Sequence, residues 1–264
     1  MPRRRLDAEL VRRGLVGSRA EAQAAVEAGM VTVAGAPATK VASLVADDAP
    51  VQVVGPVRPY VSRGGEKLRA ALDRFDVDPR GLDCLDAGAS TGGITDFLLQ
   101  RGAARVAAVD VGYGQLAWEL RNDPCVTVME RTNVRTLEPA DVPFAPDLVV
   151  ADLSFISLRT VLPALVGVSG RDAAFLVLVK PQFEAGPADV GSGGVVRDPR
   201  VWRRVLLEVI EAFRSHGVGV LDVTVSPLRG PAGNVEFLLH GRRGVDDAPV
   251  DLDAVVTEGG GPTR

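Results

Sequence analysis

From Leu82 onward, short apolar runs alternate with stretches of helical period, the pattern of a parallel sheet covered by helices. Strands are expected near Leu82–Asp86, Arg105–Asp110, Val126–Met129, Asp147–Ala151, Phe175–Val179, Val218–Val225 and Val235–Leu239. The last two are joined by Ser226–Asn234, a loop of Pro, Gly and Asn with no helix, so they are predicted to be antiparallel neighbours. Six strands in one direction and one reversed make an α/β, Rossmann-like, seven-stranded and mostly parallel sheet. A helix carrying Leu68, Leu72 and Phe75 on one face precedes the first strand. Asp198 is placed to cap another, which begins at Pro199 and turns Trp202, Val205, Leu206, Val209 and Ile210 to the core.

Before residue 56 the pattern is different. Arg5–Gly14 places Leu6, Leu10 and Val11 at helical spacing, and Ser18 with Glu21 reads as a capping box for a helix over Arg19–Ala28. Val31, Val33 and Val41 mark short strands, and Val51–Val54 closes a small α+β domain over residues 1–55. Pro56, Arg58, Pro59 and Tyr60 predict a linker over 56–61, followed by a main domain over 62–242. Residues 243–264 read as an acidic, mostly loose tail in which Val250–Val256 has the composition to dock as a short helix.

At 264 residues and 46% apolar, the chain has material for one large domain and a small module. The net charge of −4 hides a segregation. Residues 1–20 carry Arg3, Arg4, Arg5, Arg12, Arg13 and Arg19 against Asp7 and Glu9; after Gly244 stand Asp246, Asp247, Asp251, Asp253 and Glu258 against Arg264. Cys84 and Cys125 form no C-x-x-C pair, and His216 and His240 are the only histidines, so neither a metal site nor a histidine triad is expected. No apolar run approaches the roughly 20 residues that span a bilayer. The start has charges without an apolar segment behind them, so a cytoplasmic location with no membrane partner is expected.

The first strand runs into Asp86-Ala-Gly-Ala-Ser-Thr-Gly-Gly93, a strand–turn–helix of the kind that opens a ligand crevice. Its G-x-x-x-G-G spacing is neither the dinucleotide fingerprint nor a phosphate loop. Asp110 ends the second strand, where an acidic side chain meets ribose hydroxyls. A nucleoside ligand without pyrophosphate fits best, and S-adenosylmethionine is the common one. The sheet topology is likewise that of the S-adenosylmethionine-dependent methyltransferases. Asp86, Gly88, Ala89, Ser90, Thr91, Gly92, Gly93 and Asp110 are therefore the expected cofactor residues.

Ligands of such sheets bind beyond the carboxyl ends of the strands. Asp152 follows the fourth strand, Lys180 the fifth, and Glu236 begins the reversed one, so all three converge on one rim; Lys67, on the helix over its mouth, is a fourth. A charged residue after a strand is often only where the chain meets water. Together the four have a chemical use, because a ribose 2′-hydroxyl must lose its proton to attack a methyl sulfonium, and a lysine beside another cation can take it. Glu184–Val196, with four glycines, reads as a flexible loop able to fold over RNA or as a plain surface loop. Arg12, Arg13 and Arg19 read either as a solvated face or as phosphate contacts.

Arg-Leu-Asp-x-x-Leu from Arg5, Arg-x-Gly-Leu-x-x-Ser-Arg from Arg12 and Gly-x-Val-x-Val from Gly29 resemble the S4-type RNA-binding module. That resemblance favours phosphate contact by Arg4, Arg5, Arg12, Arg13 and Arg19. Val-Ser-Arg-Gly-Gly-Glu-Lys-Leu, Asp-Ala-Gly-Ala-Ser-Thr-Gly-Gly, Ala-Asp-Leu-Ser-Phe, Val-Lys-Pro-Gln-Phe-Glu and Gly-Asn-Val-Glu-Phe-Leu resemble the TlyA (haemolysin-A-like) family, related to the FtsJ-type methyltransferases, from Arg5 to about His240. The resemblance implies 2′-O-methylation of cytidine in 16S and/or 23S ribosomal RNA with S-adenosylmethionine as donor; the expected partner is ribosomal RNA within ribosomal subunits, and the expected oligomeric state is a monomer. It implies a catalytic set of Lys67, Asp152, Lys180 and Glu236. The alternatives are a non-catalytic RNA-binding ribosome-assembly factor and the haemolysin of the family's historical label.

Overall fold

The computed structural model describes residues 3–27, 29–53 and 59–261. Pro56 and Arg58 of the expected linker, with Ala28 and Val54, lie outside the described residues. The chain divides into two units, Met1–Pro59 and Tyr60–Arg264.

In the first unit, β1 (Arg3–Arg5) leads into α1 (Leu6–Arg12) and α2 (Arg19–Glu27), followed by β2 (Val31–Val33), β3 (Ala36–Pro37), β4 (Leu44–Ala46) and β5 (Val51–Val53). β1 pairs antiparallel with β4, and β3, β2 and β5 form a second small antiparallel sheet. Leu6, Leu10, Ala22, Ala25, Val26, Val31, Val45 and Val51 fill its core. Two local readings are corrected. Val41 is in a turn, and the strand comes three residues later, because the Val41 and Ser43 carbonyls accept the otherwise unpaired N–H groups of Asp7 (3.1 Å) and Leu6 (2.8 Å) at the start of α1. Ser18 Oγ does accept from Glu21 N (3.2 Å), but the Glu21 carboxylate reaches Gly17 N (2.8 Å) instead of closing the box on Ser18.

The second unit opens with α3 (Gly64–Phe75) and continues through β6 (Asp83–Ala87), α4 (Gly93–Gln100), β7 (Arg105–Val109), α5 (Trp118–Arg121), β8 (Val126–Met129) and β9 (Leu148–Ala151). It goes on through α6 (Leu158–Val168), β10 (Ala174–Val179), α7 (Pro181–Glu184), α8 (Pro199–Ser215), β11 (Val218–Val225), β12 (Phe237–Arg243) and α9 (Leu252–Gly260). The sheet order is β11-β12-β10-β9-β6-β7-β8, with only β12 reversed. Both faces are covered, so the central strands are continuously apolar. Cys84, Val106, Leu148, Val150 and Leu176 pack beneath α3 and α4, while Leu85, Val149, Phe175, Val177 and Phe237 face the other way toward α6, α8 and α9. Asp198 accepts from Arg200 N (2.9 Å) as the cap of α8, whose Trp202, Val205, Leu206 and Val209 are buried.

The chain after Gly244 is more ordered than its Asp, Gly and Pro content suggests. Leu252 and Val256, four residues apart, bury one side of α9, and Gly259 lets the helix approach the Phe237 ring. Two of the acidic residues are matched by arginines of α8, Asp253 to Arg203 (2.7 Å) and Asp247 to Arg214 (2.5 Å).

Candidate active site

The path of the chain reverses between β6 and β9, since β7 and β8 extend the sheet one way and β10 the other. This is the switch point at which open α/β sheets form a crevice. Here the turns after β6 and β9 nearly touch. Gly88 has φ +94°, and a Cβ on it would stand 2.7 Å from the Asp152 carbonyl oxygen, so glycine is required both by conformation and by space.

The amides of this turn are already engaged. Gly88 N and Ala89 N donate to the Val109 carbonyl (2.8 and 3.1 Å), and Ser90 N donates to Asp110 Oδ2 (2.8 Å). The other Asp110 oxygen accepts from Gly112 N (2.7 Å). Three successive N–H groups are thus turned inward, which leaves no phosphate cradle and suits a ligand without pyrophosphate. Gly88, Ala89, Ser90 and Gly93 line a crevice of about 570 Å³, a volume suited to a nucleoside-sized molecule.

Asp86, Thr91, Gly92 and Asp110 do not line it. Gly92 makes room for packing, since a Cβ there would stand 2.9 Å from Leu116 Cδ1. Asp110 ties the turn together through its bonds from Ser90 N and Gly112 N. Asp86 corrects the expectation of a direct contact: it is fully buried beneath the turn, with Oδ2 accepting from Thr95 Oγ1 (2.7 Å) and Oδ1 without a hydrogen-bond partner. Burial pushes its carboxyl up to about 7. The folded protein therefore holds this proton over a range where the unfolded chain, near the ordinary 3.8, has lost it. Stability contributed here falls as pH rises from about 4 to 7. Asp86→Asn is expected to gain thermal stability over the wild type at pH 8 and to gain less at pH 5; an advantage that does not change with pH would refute the assignment.

The four charged residues of the rim meet in one network. Lys67, 9% exposed on α3, sits 2.6 Å from Glu236 Oε2 and 3.4 Å from Asp152 Oδ2. Lys180, buried directly after β10, lies 2.6 Å from Asp152 Oδ1. Burial alone would push the Asp152 carboxyl up, but the Lys180 and Lys67 ammonium groups outweigh it and hold the group below the usual carboxylate range. Glu236 immediately precedes β12, and Gly230 leaves it space, since a Cβ there would approach Glu236 Oε1 to 2.7 Å. Charge is balanced within the network, two ammonium groups against two carboxylates, as buried ions require.

Other residues of the crevice went unread in the sequence. Ser154 Oγ accepts from Lys180 Nζ (3.1 Å); its position two residues after Asp152, just past the end of β9, was the available signal. Buried Asn234 donates to the Gly194 carbonyl (2.9 Å) and accepts from Val196 N (3.0 Å), so the glycine-rich segment anticipated as a lid is latched at this end to the loop before Glu236. Glu184, also buried, accepts from Ser157 Oγ (2.5 Å) and Leu158 N (2.6 Å), fixing the loop after β9 against α7.

In the first unit, the arginines are organised by two buried acids. Glu9, fully buried, pairs with Arg12 and Arg13 (2.6 Å each). Asp7 pairs with Arg5 (2.9 Å) and Arg19 (2.8 Å), and Arg4 with Asp47 (3.1 Å). Hydrogen bonds from Arg12 and Arg13 hold the Glu9 carboxyl down at about 2, and those from Arg5 hold Asp7 low as well. Depressed folded values stabilise above the ordinary carboxylate range and lose that contribution as pH falls through the folded value. Acid titration from pH 5 toward 2 is therefore expected to melt this unit progressively, and Glu9→Gln is expected to flatten the dependence; an equal acid slope in the variant would contradict it.

Residues 4–49 match the S4 domain model and residues 60–243 the FtsJ-like methyltransferase model. The chain is 55% identical over 247 residues to the 16S/23S rRNA (cytidine-2′-O)-methyltransferase TlyA of Mycobacterium tuberculosis, covering 93% of this chain and 92% of that one. A Streptococcus thermophilus structure solved under a hemolysin name superposes with a TM-score of 0.78 at 38% identity, over 98% of this chain and 96% of that one. An S-adenosylmethionine-dependent methyltransferase from Mesorhizobium loti shares the fold at 15% identity, with a TM-score of 0.51 over 69% of this chain and 100% of its own. Among the described residues, no helix is long and apolar enough to cross a membrane.

Proposed function

Since this chain belongs to the FtsJ-like methyltransferases and, with its S4 domain, to the TlyA family, we propose that it methylates cytidine 2′-hydroxyls of 16S and 23S ribosomal RNA through Lys67, Asp152, Lys180 and Glu236. The observation that carries the reading is the closed Lys67–Asp152–Lys180–Glu236 network on the crevice walled by the Gly88–Gly93 turn. Gly88, Ala89, Ser90 and Gly93, in a turn tied together by Asp110, would hold S-adenosylmethionine, which would supply an electrophilic methyl group.

The remaining chemistry falls to the side chains. Removing a proton from Lys67 forfeits ion pairs to two carboxylates, whereas removing one from Lys180 forfeits a single ion pair. We therefore assign Lys180 as the base that takes the 2′-proton and Lys67 as the fixed cation that orients Glu236 and Asp152. Gly88 and Gly93 let the turn pack closely on Asp152 and Ser62, and the rim brings hydroxyl and base together, an arrangement able to contribute roughly 7–11 kcal/mol of the barrier in favourable cases. The S4 unit contributes phosphate contacts through Arg4, Arg5, Arg12, Arg13 and Arg19. All four rim residues come from one chain, which supports action as a monomer, and the RNA substrate supports a cytoplasmic site of action.

Incubation of the purified protein with S-adenosylmethionine and unmethylated 30S or 50S subunits, followed by mapping of 2′-O-methyl groups, tests the proposal. New 2′-O-methylcytidine in either RNA supports it. Tight RNA binding with no methyl incorporation would instead support an assembly factor.

A further inference from the structure

We propose that Ser154 is a positioning residue for this reaction, fixing the Lys180 amine so that a single direction at Nζ remains for the 2′-hydroxyl. The inference rests on the reading of Lys180 as base. Apart from its bond to Cε, a lysine nitrogen has three directions, filled by three protons in the cation and by two protons and a lone pair in the neutral amine. Ser154 Oγ accepts one proton from Lys180 Nζ (3.1 Å), and the Asp152 carboxylate lies against the same nitrogen, with Oδ1 at 2.6 Å. Both contacts continue to hold the amine when the third proton departs, so the lone pair is directed away from the serine and the carboxylate. Without the serine's directed hydrogen bond, the amine turns about its Cε–Nζ bond, and the lone pair is no longer held in one direction.

The position is also built to hold. Phe155, next in the chain, adopts φ +64°, a left-handed conformation costly for a bulky residue, and turns the chain sharply after Ser154. Two residues further, Ser157 and Leu158 are bound by Glu184, four residues after Lys180. The serine and the lysine are thus tied together a second time through α7. Ser154 and Lys180 both line the crevice, and Ser154 is exposed, so loss of its hydroxyl empties no core space.

Single-turnover and steady-state kinetics of the full-length protein on ribosomal subunits test the proposal with Ser154→Ala and Ser154→Thr. Ser154→Ala is expected to lower the single-turnover rate on the order of 10- to 100-fold, with KM for RNA and calorimetric affinity for S-adenosylmethionine unchanged. Ser154→Thr, which keeps the hydroxyl, is expected to recover most of the rate. A wild-type rate in Ser154→Ala overturns the assignment, as does a loss in cofactor affinity that threonine fails to restore. Lys180→Arg separates the two levels: if it is active, the base assignment itself fails, whereas if it is dead beside a fully active Ser154→Ala, only the serine's role fails.

Discussion

Lys180→Ala is expected to reduce the methyl-transfer rate on the order of 100- to 10 000-fold, the range attributed to a lost general base, while affinities for S-adenosylmethionine and for ribosomal RNA survive. The asymmetry follows from where Lys180 acts. Its ammonium touches Asp152 and Ser154, and in the proposed role its proton-accepting form is needed only as the 2′-oxygen becomes a nucleophile, so the loss is expected in kcat. Lys180→Arg is expected to fail equally, because a guanidinium keeps its proton at any working pH. Near-normal turnover by the arginine variant would mean that the position supplies only positive charge and would transfer the base role to Lys67 or to a water. Calorimetry with S-adenosylmethionine and filter binding with RNA, run on the same preparations as the kinetics, separate lost chemistry from lost binding.

The second large effect is expected in the S4 unit. Arg4→Ala, Arg12→Ala and Arg19→Ala combined should cut RNA affinity at low salt and reduce the slope of log affinity against log salt by about two to three, as fewer counterions are released. This combination spares the architecture. Glu9 keeps Arg13 and Asp7 keeps Arg5, so neither buried carboxylate is left unpaired. An unchanged salt slope would identify these guanidinium groups as a solvated face.

Much of this was legible in the chain, for identifiable reasons. The second unit's central strands are apolar on both faces and bounded by Gly, Pro or charge, so their order along the chain could be read, and the reversed β12 followed from the helix-free loop before it. Asp152, Lys180 and Glu236 were legible because topology alone brings the ends of β9 and β10 and the start of β12 to one edge, and Lys67 because the helix that carries it precedes the first strand and covers that edge. Short-range hydrogen bonding was not. β1 is three arginines, with no alternation to betray a strand, and its pairing with β4 is a backbone matter. Asp86 reads like a ligand contact because it stands beside the glycine turn, yet the β-strand pleat sends its side chain inward to Thr95. Asp7 and Glu9 looked like mere counter-charges, and nothing in their spacing reveals that two buried carboxylates aim four arginines.

The place of β12 in the sheet has a consequence for biosynthesis. β10 and β11 do not pair with each other; each is hydrogen-bonded to β12, which is made after both. On the ribosome, β10 consequently presents an open edge, and β11 lacks any strand partner, until Phe237–Arg243 has emerged. A polypeptide ending between Val225 and Glu236, as after a premature stop or stalled translation, would carry two unsatisfied apolar strands, a state prone to edge-to-edge association. Insertion of the last strand between two waiting ones is a long-range closure, and it assembles the sheet and delivers Glu236 to Lys67 in the same event. The four charged groups of the rim are thus brought together only once this late strand is in place, and until then a nascent chain carries an incomplete network.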